Sequence, residues 1–495
     1  MHKVVGGVVL ALVLSWVAAA PAASVTQTPL QQGPHDRAPR GAGKPPARPA
    51  APPPAATRQA DVSEPVRAST DLLLSDAAGA QPGTQAEPYL AADPADPSHL
   101  VAGWQENRFA TGGARALTYA VSTDGGRTWT DGLLPNSTTP SGGPWQRSTD
   151  PWVEFGPEKR VYYAGLLYNT SNPDNAMSVS VSTDGGATWG SPVKVFRSTN
   201  GDFNDKEALA VDTFPSSPHY GNVYVAWDVN KAGGQPFSAQ HAVIARSTDG
   251  GKSYSAPKVL RKKGTNIGLL PRVGPDGTVY MVWEGNKKFG PSPEGFYFSK
   301  STNGGHKWSK PRQIVNLDRA GVPGLRTGEF VPSFAVDRSS GALYVAWQDG
   351  RWTGTAQATL IVSRDGGTTW SEPTRVSDGP GDAAAFTVAV ATNARGDVGV
   401  SYYSLRNDPD RDWLTDVYLQ VSRDGGRTFE PARRITESSF DVRFTARAGD
   451  AYFPGDYAGL VGTSTSFHML WVGVGPRPGT AVTAQPDVFS APATE

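Results

Sequence analysis

From about residue 85 onward, apolar and polar positions alternate in short runs separated by turns rich in Gly, Asp and Asn, the two-residue period of half-buried β-strands. Six of these runs, residues 117–121, 177–181, 242–245, 296–298, 359–362 and 417–421, lead into one eight-residue pattern. Its copies are STDGGRTW at 122–129, STDGGATW at 182–189, STDGGKSY at 247–254, STNGGHKW at 301–308, SRDGGTTW at 363–370 and SRDGGRTF at 422–429. The chemistry is that of a tight hairpin: Asp or Asn accepts backbone N–H groups inside the loop, Gly supplies positive φ, and the closing aromatic packs beneath. The marker residues Asp124, Asp184, Asp249, Asn303, Asp365 and Asp424 recur with a period of about sixty residues, enough for four strands and their loops.

Two further strands precede each hairpin, the second commonly ending in an aromatic. The second strands are read at 100–104, 161–165, 223–227, 279–283, 343–347, 398–402 and 467–471. The first strands begin near Tyr89, Trp152, Ala208, Val273, Phe334, Thr387 and Ala458. That makes seven units for six hairpins. The last has only residues 487–490 after its second strand and lacks a fourth strand of its own. The apolar stretch 66–73 is the predicted donor, closing a ring by pairing the first segment with the last and removing exposed sheet edges.

The repeated S-x-D-x-G-x-T-W hairpins resemble the Asp-box, or BNR-repeat, proteins of the sialidase superfamily over about residues 64–490. The resemblance implies an all-β fold, a seven-bladed β-propeller of four-stranded antiparallel blades, with the six-bladed sialidase type as the alternative. It also implies that the boxes, Asp124 and Trp129 among them, are structural and lie opposite the active face, because the motif marks a fold and not a reaction.

Composition adds location. The opening MHKVVGGVVLALVLSWVAAAPAAS has an early Lys, an apolar run and small residues at its exit, a secretory signal over residues 1–23. Residues 24–63, rich in Pro and Ala, read as a disordered linker, and 64–495 as one propeller domain. With 46 Lys plus Arg against 46 Asp plus Glu, no overall field draws the chain to nucleic acid or an anionic membrane. The absence of Cys excludes disulfides, thiolate metal sites and a thiol nucleophile. The expectation is a secreted, extracellular monomer whose partner is a glycan, with no membrane attachment after signal removal.

If the boxes lie at the bottom, the loops before the first strands and after the second strands gather at the top. They carry Glu87, Glu106, Asn107, Arg108, Asp150, Asp205, Lys206, Glu207, Asp228, Arg272, Glu284, Asp349, Arg351, Tyr402, Tyr403, Arg406, Asp456 and Tyr457. Such a carboxylate, Arg and Tyr inventory suits an anionic sugar. Family sialidases grip a carboxylate with three Arg, use a Tyr activated by a Glu, and use an Asp as acid/base. Carried over by role, the resemblance implies Tyr403 as nucleophile, Glu207 as its base and Asp150 as acid/base. Arg272, Arg351 and Arg406 would form the carboxylate clamp, with Arg108, Glu284 and Tyr402 completing the substrate site. The family's F/Y-R-I-P signature has no counterpart here, and residues 81–89 contain no Arg.

No resident cofactor or metal is expected. Asp408, Asp410 and Asp412 alternate as calcium ligands do, but Trp413 stands where a calcium hand needs Gly and Leu419 where it needs its closing Glu, which favours a solvated acidic loop. The function read from these features is a sialidase-like glycoside hydrolase acting on an acidic glycan. The alternatives are a non-catalytic glycan- or cell-wall-binding propeller, and a uronic-acid polysaccharide lyase.

Overall fold

A computed structural model of the chain describes residues 64–73, 78–232, 240–286, 294–408, 413–476 and 484–493. The segments read as signal and linker, 1–23 and 24–63, lie outside these. The described residues form an all-β fold of antiparallel four-stranded sheets, with three short 3-10 turns as their helical content.

Each sheet is a meander. The first runs Gln85–Ala92, Leu100–Arg108, Ala114–Ser122, Thr130–Leu133, and the second Arg147–Phe155, Val161–Tyr168, Asn175–Ser182, Val193–Ser198. A single bridge between Ala114 and Ser148 joins these two. The third begins with Phe203–Val211, the fourth with Asn266–Val273, the fifth with Ser333–Val336 and the sixth with Ala385–Thr392. The final sheet is composite: Gly459–Gly462, Phe467–Gly475 and Gln485–Ala493 are followed by Val66–Arg67, from the other end of the chain. Val66 pairs with Ser490 and Arg67 with Phe489, while the Arg67 guanidinium bonds the Asp487 carboxylate. Each first strand packs against the first strands of the sheets before and after it, and Gly459–Gly462 returns to Gln85–Ala92.

The sheets face one another through large side chains at the ends of their second strands. Trp104, Trp227, Trp283 and Trp347 are fully buried, as is Tyr402 in the equivalent place. Trp227 and Trp283 also donate their indole N–H to Asn204 and Asn266 at 2.8 and 2.9 Å, so that no polar atom of these two rings is stranded. Truncating a packed Trp of this kind costs about 3–5 kcal/mol.

The boxes behave as local chemistry requires. Ser122 donates to Asp124 Oδ1 and accepts the Gly126 N–H, both at 2.8 Å, and Asp124 accepts the backbone N–H and the hydroxyl of Thr128 at 3.0 and 2.6 Å. These bonds, the Thr128 hydroxyl foremost, hold the Asp124 carboxyl down to about 2. The boxes also clasp the preceding sheet. His99 meets the Gly185 carbonyl at 2.7 Å, Arg246 donates to Gly304 O at 2.9 Å and Lys300 to Gly366 O at 2.8 Å. Gly126, at φ 82°, lies flat on His468, and a Cβ there would come within 2.2 Å of that ring.

Two outcomes follow from the closing sheet. Deleting residues 64–70 leaves Gln485–Ala493 as a bare edge, so the thermal midpoint should fall by several degrees and light scattering should show concentration-dependent association. His468 is buried, and burial pushes its ring down to about 3. Below pH 6.5 the unfolded chain takes up a proton that the folded ring refuses. Stability should therefore fall as pH drops from 6.5 towards 3, by about 1.4 kcal/mol per pH unit from this group. Denaturant titrations across that range should show a shallower slope in His468→Gln.

Candidate active site

The first strands share an irregularity that aims side chains at the centre. Their register with the second strands slips between Ala86 and Tyr89, Thr149 and Trp152, Asp205 and Ala208, Ile267 and Leu270, and Phe386 and Ala389. Within each slip one residue takes a left-handed conformation: Glu87 at φ 54°, Asp150 at 55°, Lys206 at 49°, Gly268 at 65° and Thr387 at 49°. Four of the five are not glycine. Holding a side chain in this region costs of order 1 kcal/mol and persists only where the surroundings enforce it.

Three of these bulges converge. Lys206 Nζ lies 2.8 Å from Glu87 Oε1, 2.8 Å from Asp150 Oδ1 and 2.6 Å from Asp456 Oδ2. Arg326, from the segment ahead of the fifth sheet, grips Asp456 with two parallel bonds, its Nε at 2.8 Å from Oδ1. Gln105 donates to Glu87 Oε2 and to Thr149 Oγ1, and Arg108 donates to Gln105. Lys206 is only 7% exposed and Asp150 2%.

Burial and charge split the protonation of this cluster. Burial pushes Glu87 up to about 7 despite Lys206 beside it. Burial also raises Asp150 and Asp205, again against Lys206. Asp456 goes the other way, because Arg326 and Lys206 outweigh its burial and hold it well below the usual carboxylate range. The three carboxylates around Lys206 hold it above its ordinary value in spite of desolvation. Asp456 is thus locked ionised beside Glu87, which retains a proton up to about neutrality, the kind of split from which acid and base roles are built.

A two-stranded hairpin, Ala446–Ala448 with Ala451–Phe453, roofs the cluster. The Phe453 ring lies 4.1 Å from the Arg108 guanidinium and 4.9 Å from that of Arg326. The hairpin is tied down by Arg447 N–H to Gln81 Oε1 at 2.8 Å, Gly449 N–H to Ala110 O at 2.7 Å and Arg326 N–H to Tyr452 O at 2.9 Å. A cavity of about 40 Å³ adjoins the cluster, bounded by Glu87, Arg108, Asp150, Asp205, Lys206 and Arg326. The floor is aromatic: Tyr89 stacks on Trp152 at 3.7 Å, and Tyr457 meets Trp152 edge-on at 5.7 Å.

Of the top-face residues marked from sequence, Glu87, Arg108, Asp150, Asp205, Lys206 and Asp456 are in or against this cluster and Tyr457 is in its floor. Glu207 is beside it, buried against Tyr163, Tyr457 and Asp150, and held well above the carboxylate range by burial. The remaining residues given a catalytic or substrate-binding role are elsewhere. Tyr403 is enclosed in the sixth sheet, stacked on Phe386 at 5.5 Å, its hydroxyl accepting the Val472 N–H at 2.9 Å, and burial raises its pKa. It cannot pair with Glu207 as nucleophile and base. Tyr402 is buried with its hydroxyl on Gln420 at 2.7 Å. Arg406 is held by Asp378 at 2.6 Å, Arg351 by both oxygens of Asp349 at 2.7 and 2.9 Å, and Glu284 by Arg319 at 2.5 Å. Arg272 is not in a top loop, because its strand starts at Asn266 rather than near Val273 and carries the side chain down beneath the aromatic floor. The three-arginine clamp therefore does not assemble. Asp408 accepts the Trp413 N–H at 2.8 Å, Asp410 and Asp412 lie outside the described residues, and among those described no group of His, Cys, Asp or Glu is placed to hold a metal ion.

Sequence reasoning gave no role to Glu87, Lys206, Asp456 or Tyr457 and did not single out Arg326. A signal for three of the cluster was present: Glu87, Asp150 and Lys206 each stand two residues ahead of the matching first-strand positions Tyr89, Trp152 and Ala208.

Comparison with known proteins agrees on the repeat. Residues 341–448 match the BNR repeat-like domain family, so the resemblance of the hairpins to BNR-repeat proteins holds over that stretch. No curated protein matches the chain. Similar solved structures include a Hadza microbial sialidase (16% identity, TM-score 0.43, covering 79% of this chain and 73% of that one). Another is an α-L-arabinofuranosidase of Fusarium graminearum (14%, 0.45, 69% and 93%). A third is an ulvan lyase of polysaccharide lyase family PL25 (11%, 0.46, 83% and 94%).

Removing the central cation tests the cluster. Lys206→Met leaves Glu87 and Asp150 facing Asp456 without their shared partner, and denaturant titration at pH 8 should show a loss of about 3–5 kcal/mol. The loss should shrink at pH 5, where Glu87 is protonated.

Proposed function

We propose that the protein is a secreted, seven-bladed propeller that cleaves an acidic glycan at the axial cluster. The observation that carries this reading is the convergence of Glu87, Asp150 and Asp456 on Lys206 with their protonation forced apart. The first strands follow one another in a closed order of seven, which supports the blade number. Among the described residues no helix is long and apolar enough to cross a membrane.

Glu87, protonated up to about pH 7, is the group able to protonate a departing glycosidic oxygen. Asp150 is the second carboxyl. Because both place an oxygen 2.8 Å from one nitrogen, those oxygens are less than about 6 Å apart. This suits the close spacing of retaining hydrolysis, roughly 5–5.5 Å, better than the wider gap that holds an attacking water. Arg108, whose guanidinium donates to the neutral Gln105, is the cation offered to an acidic substituent, since Arg326 is taken up by Asp456. Phe453 covers Arg108, so substrate entry requires the 446–453 hairpin to lift. A second reading, glycan binding without turnover, is favoured by the near-complete burial of the cluster.

The test uses chain lacking residues 1–60, incubated with sialosides and with uronic-acid polymers, following reducing ends and unsaturated products. Hydrolysis should release reducing ends without unsaturation. Glu87→Gln and Asp150→Asn should each lower kcat by about a hundredfold or more, while Tyr403→Phe retains turnover. Activity should decline as pH rises through about 7, since the Glu87 proton is lost there. Unsaturated products would move the protein to the lyases, and saturable binding without any product would establish the second reading.

A further inference from the structure

Below the aromatic floor the axis opens again. A cavity of about 410 Å³ lies at the Asp-box end, ten times the space around Lys206 and within the roughly 300–1,000 Å³ range of small-molecule sites. It is separated from the cluster above by Tyr89, Trp152 and Arg272. Arg272 crosses the axis: from the fourth sheet it donates to the Tyr89 hydroxyl at 2.8 Å in the first and to Phe334 O at 2.9 Å in the fifth, and lies 3.5 Å from Glu154 in the second.

The lining is polar where it matters. First strands have a sheet partner on one side only along this stretch, so their inner edges turn backbone N–H and C=O groups towards the cavity. Thr213, Thr392 and Thr463 add hydroxyls. Arg338, exposed at the rim, stacks on Phe214 at 4.2 Å and donates to Thr213 Oγ1 at 2.9 Å; no carboxylate is within ion-pairing distance among the described residues, and Glu154 and Asp212 act on its charge from further off. The acidic groups of the wall are Asp93, which caps its own turn through the Ala95 N–H at 2.9 Å, and Glu154, which is raised by burial and acts on both Arg272 and Arg338.

The structure assigns to this chamber a binding site for a small, polar organic anion, entered from the Asp-box face and oriented by Arg338 at the mouth, with Arg272 and its partners closing the floor. It is independent of the proposed chemistry on the opposite face, because the floor closes the passage between them.

The experiment is titration calorimetry of the full chain with citrate, and with sucrose as an uncharged polyhydroxyl probe of comparable size, at constant ionic strength. One citrate should bind per chain, and sucrose at least tenfold more weakly. Arg338→Gln should weaken citrate about tenfold, and Thr213→Glu, which places a carboxylate against the same guanidinium, at least as much. Both positions are at the accessible rim, so an unchanged thermal midpoint shows that the fold is intact. Absence of citrate binding at millimolar concentration, equal binding of sucrose, or unaltered affinity in both variants would overturn the assignment. None of these readouts depends on glycan turnover, so failure here is distinct from failure of the proposed hydrolysis.

Discussion

The structure depends on one strand pairing made by two ends of the chain. Gln485–Ala493 would be an open edge were Val66–Arg67 not laid against it, and the Arg67–Asp487 ion pair pins that contact beside Ser69 and Val488. With the last sheet complete, Gly459–Gly462 is held against Gln85–Ala92 and the order of first strands closes on itself. Glu87, Asp150 and Lys206 come from three different sheets, and Arg326 and Asp456 from the segments ahead of the fifth and the last. Their spacing is therefore set by closure and not by any local loop.

Closure is what makes so much buried charge tolerable. An isolated buried carboxylate costs far more than any single hydrogen bond returns. Here Lys206 answers three carboxylates, Arg326 fastens one of them and Gln105 another. Where cations run out, burial returns the carboxyls to the protonated form, as at Glu207 and Asp228, both held well above the carboxylate range. The uneven distribution of three cations over more than three carboxyls produces the split in protonation. It also explains the left-handed backbone at Glu87, Asp150 and Lys206: the ion pairs can offset a strain of order 1 kcal/mol each.

The same closure divides the axis. Bulges at the start of the first strands fill the upper end with charge, while the middle is blocked by Tyr89, Trp152, Tyr457 and the transverse Arg272. Beyond them the strands continue with no further bulge, small residues such as Ala91 and Ala391 line the wall, and the space widens. Two compartments of different size and chemistry result from one repeated strand.

The sequence by itself determined the all-β class, the seven second strands and the six hairpins, because those features rest on contacts within a few residues. Ser122, Asp124, Gly126 and Thr128 complete their bonds inside one turn, and the alternation from 117 to 121 needs only a neighbouring strand to bury it. Tertiary structure alone decided the site. Lys206 meets Glu87 across 119 residues and Asp150 across 56; their shared offset from the first strands marks the three positions, but only the fold shows that the side chains meet. Arg351, Arg406 and Glu284 looked like ligand groups because nothing in the chain shows that Asp349, Asp378 and Arg319 already neutralise them. Arg272 was misplaced by a strand boundary of a few residues, enough to move a long side chain from the top of the axis to its middle. Hairpins are written locally, whereas the pairing of buried charge is settled by which strands the closed ring brings face to face.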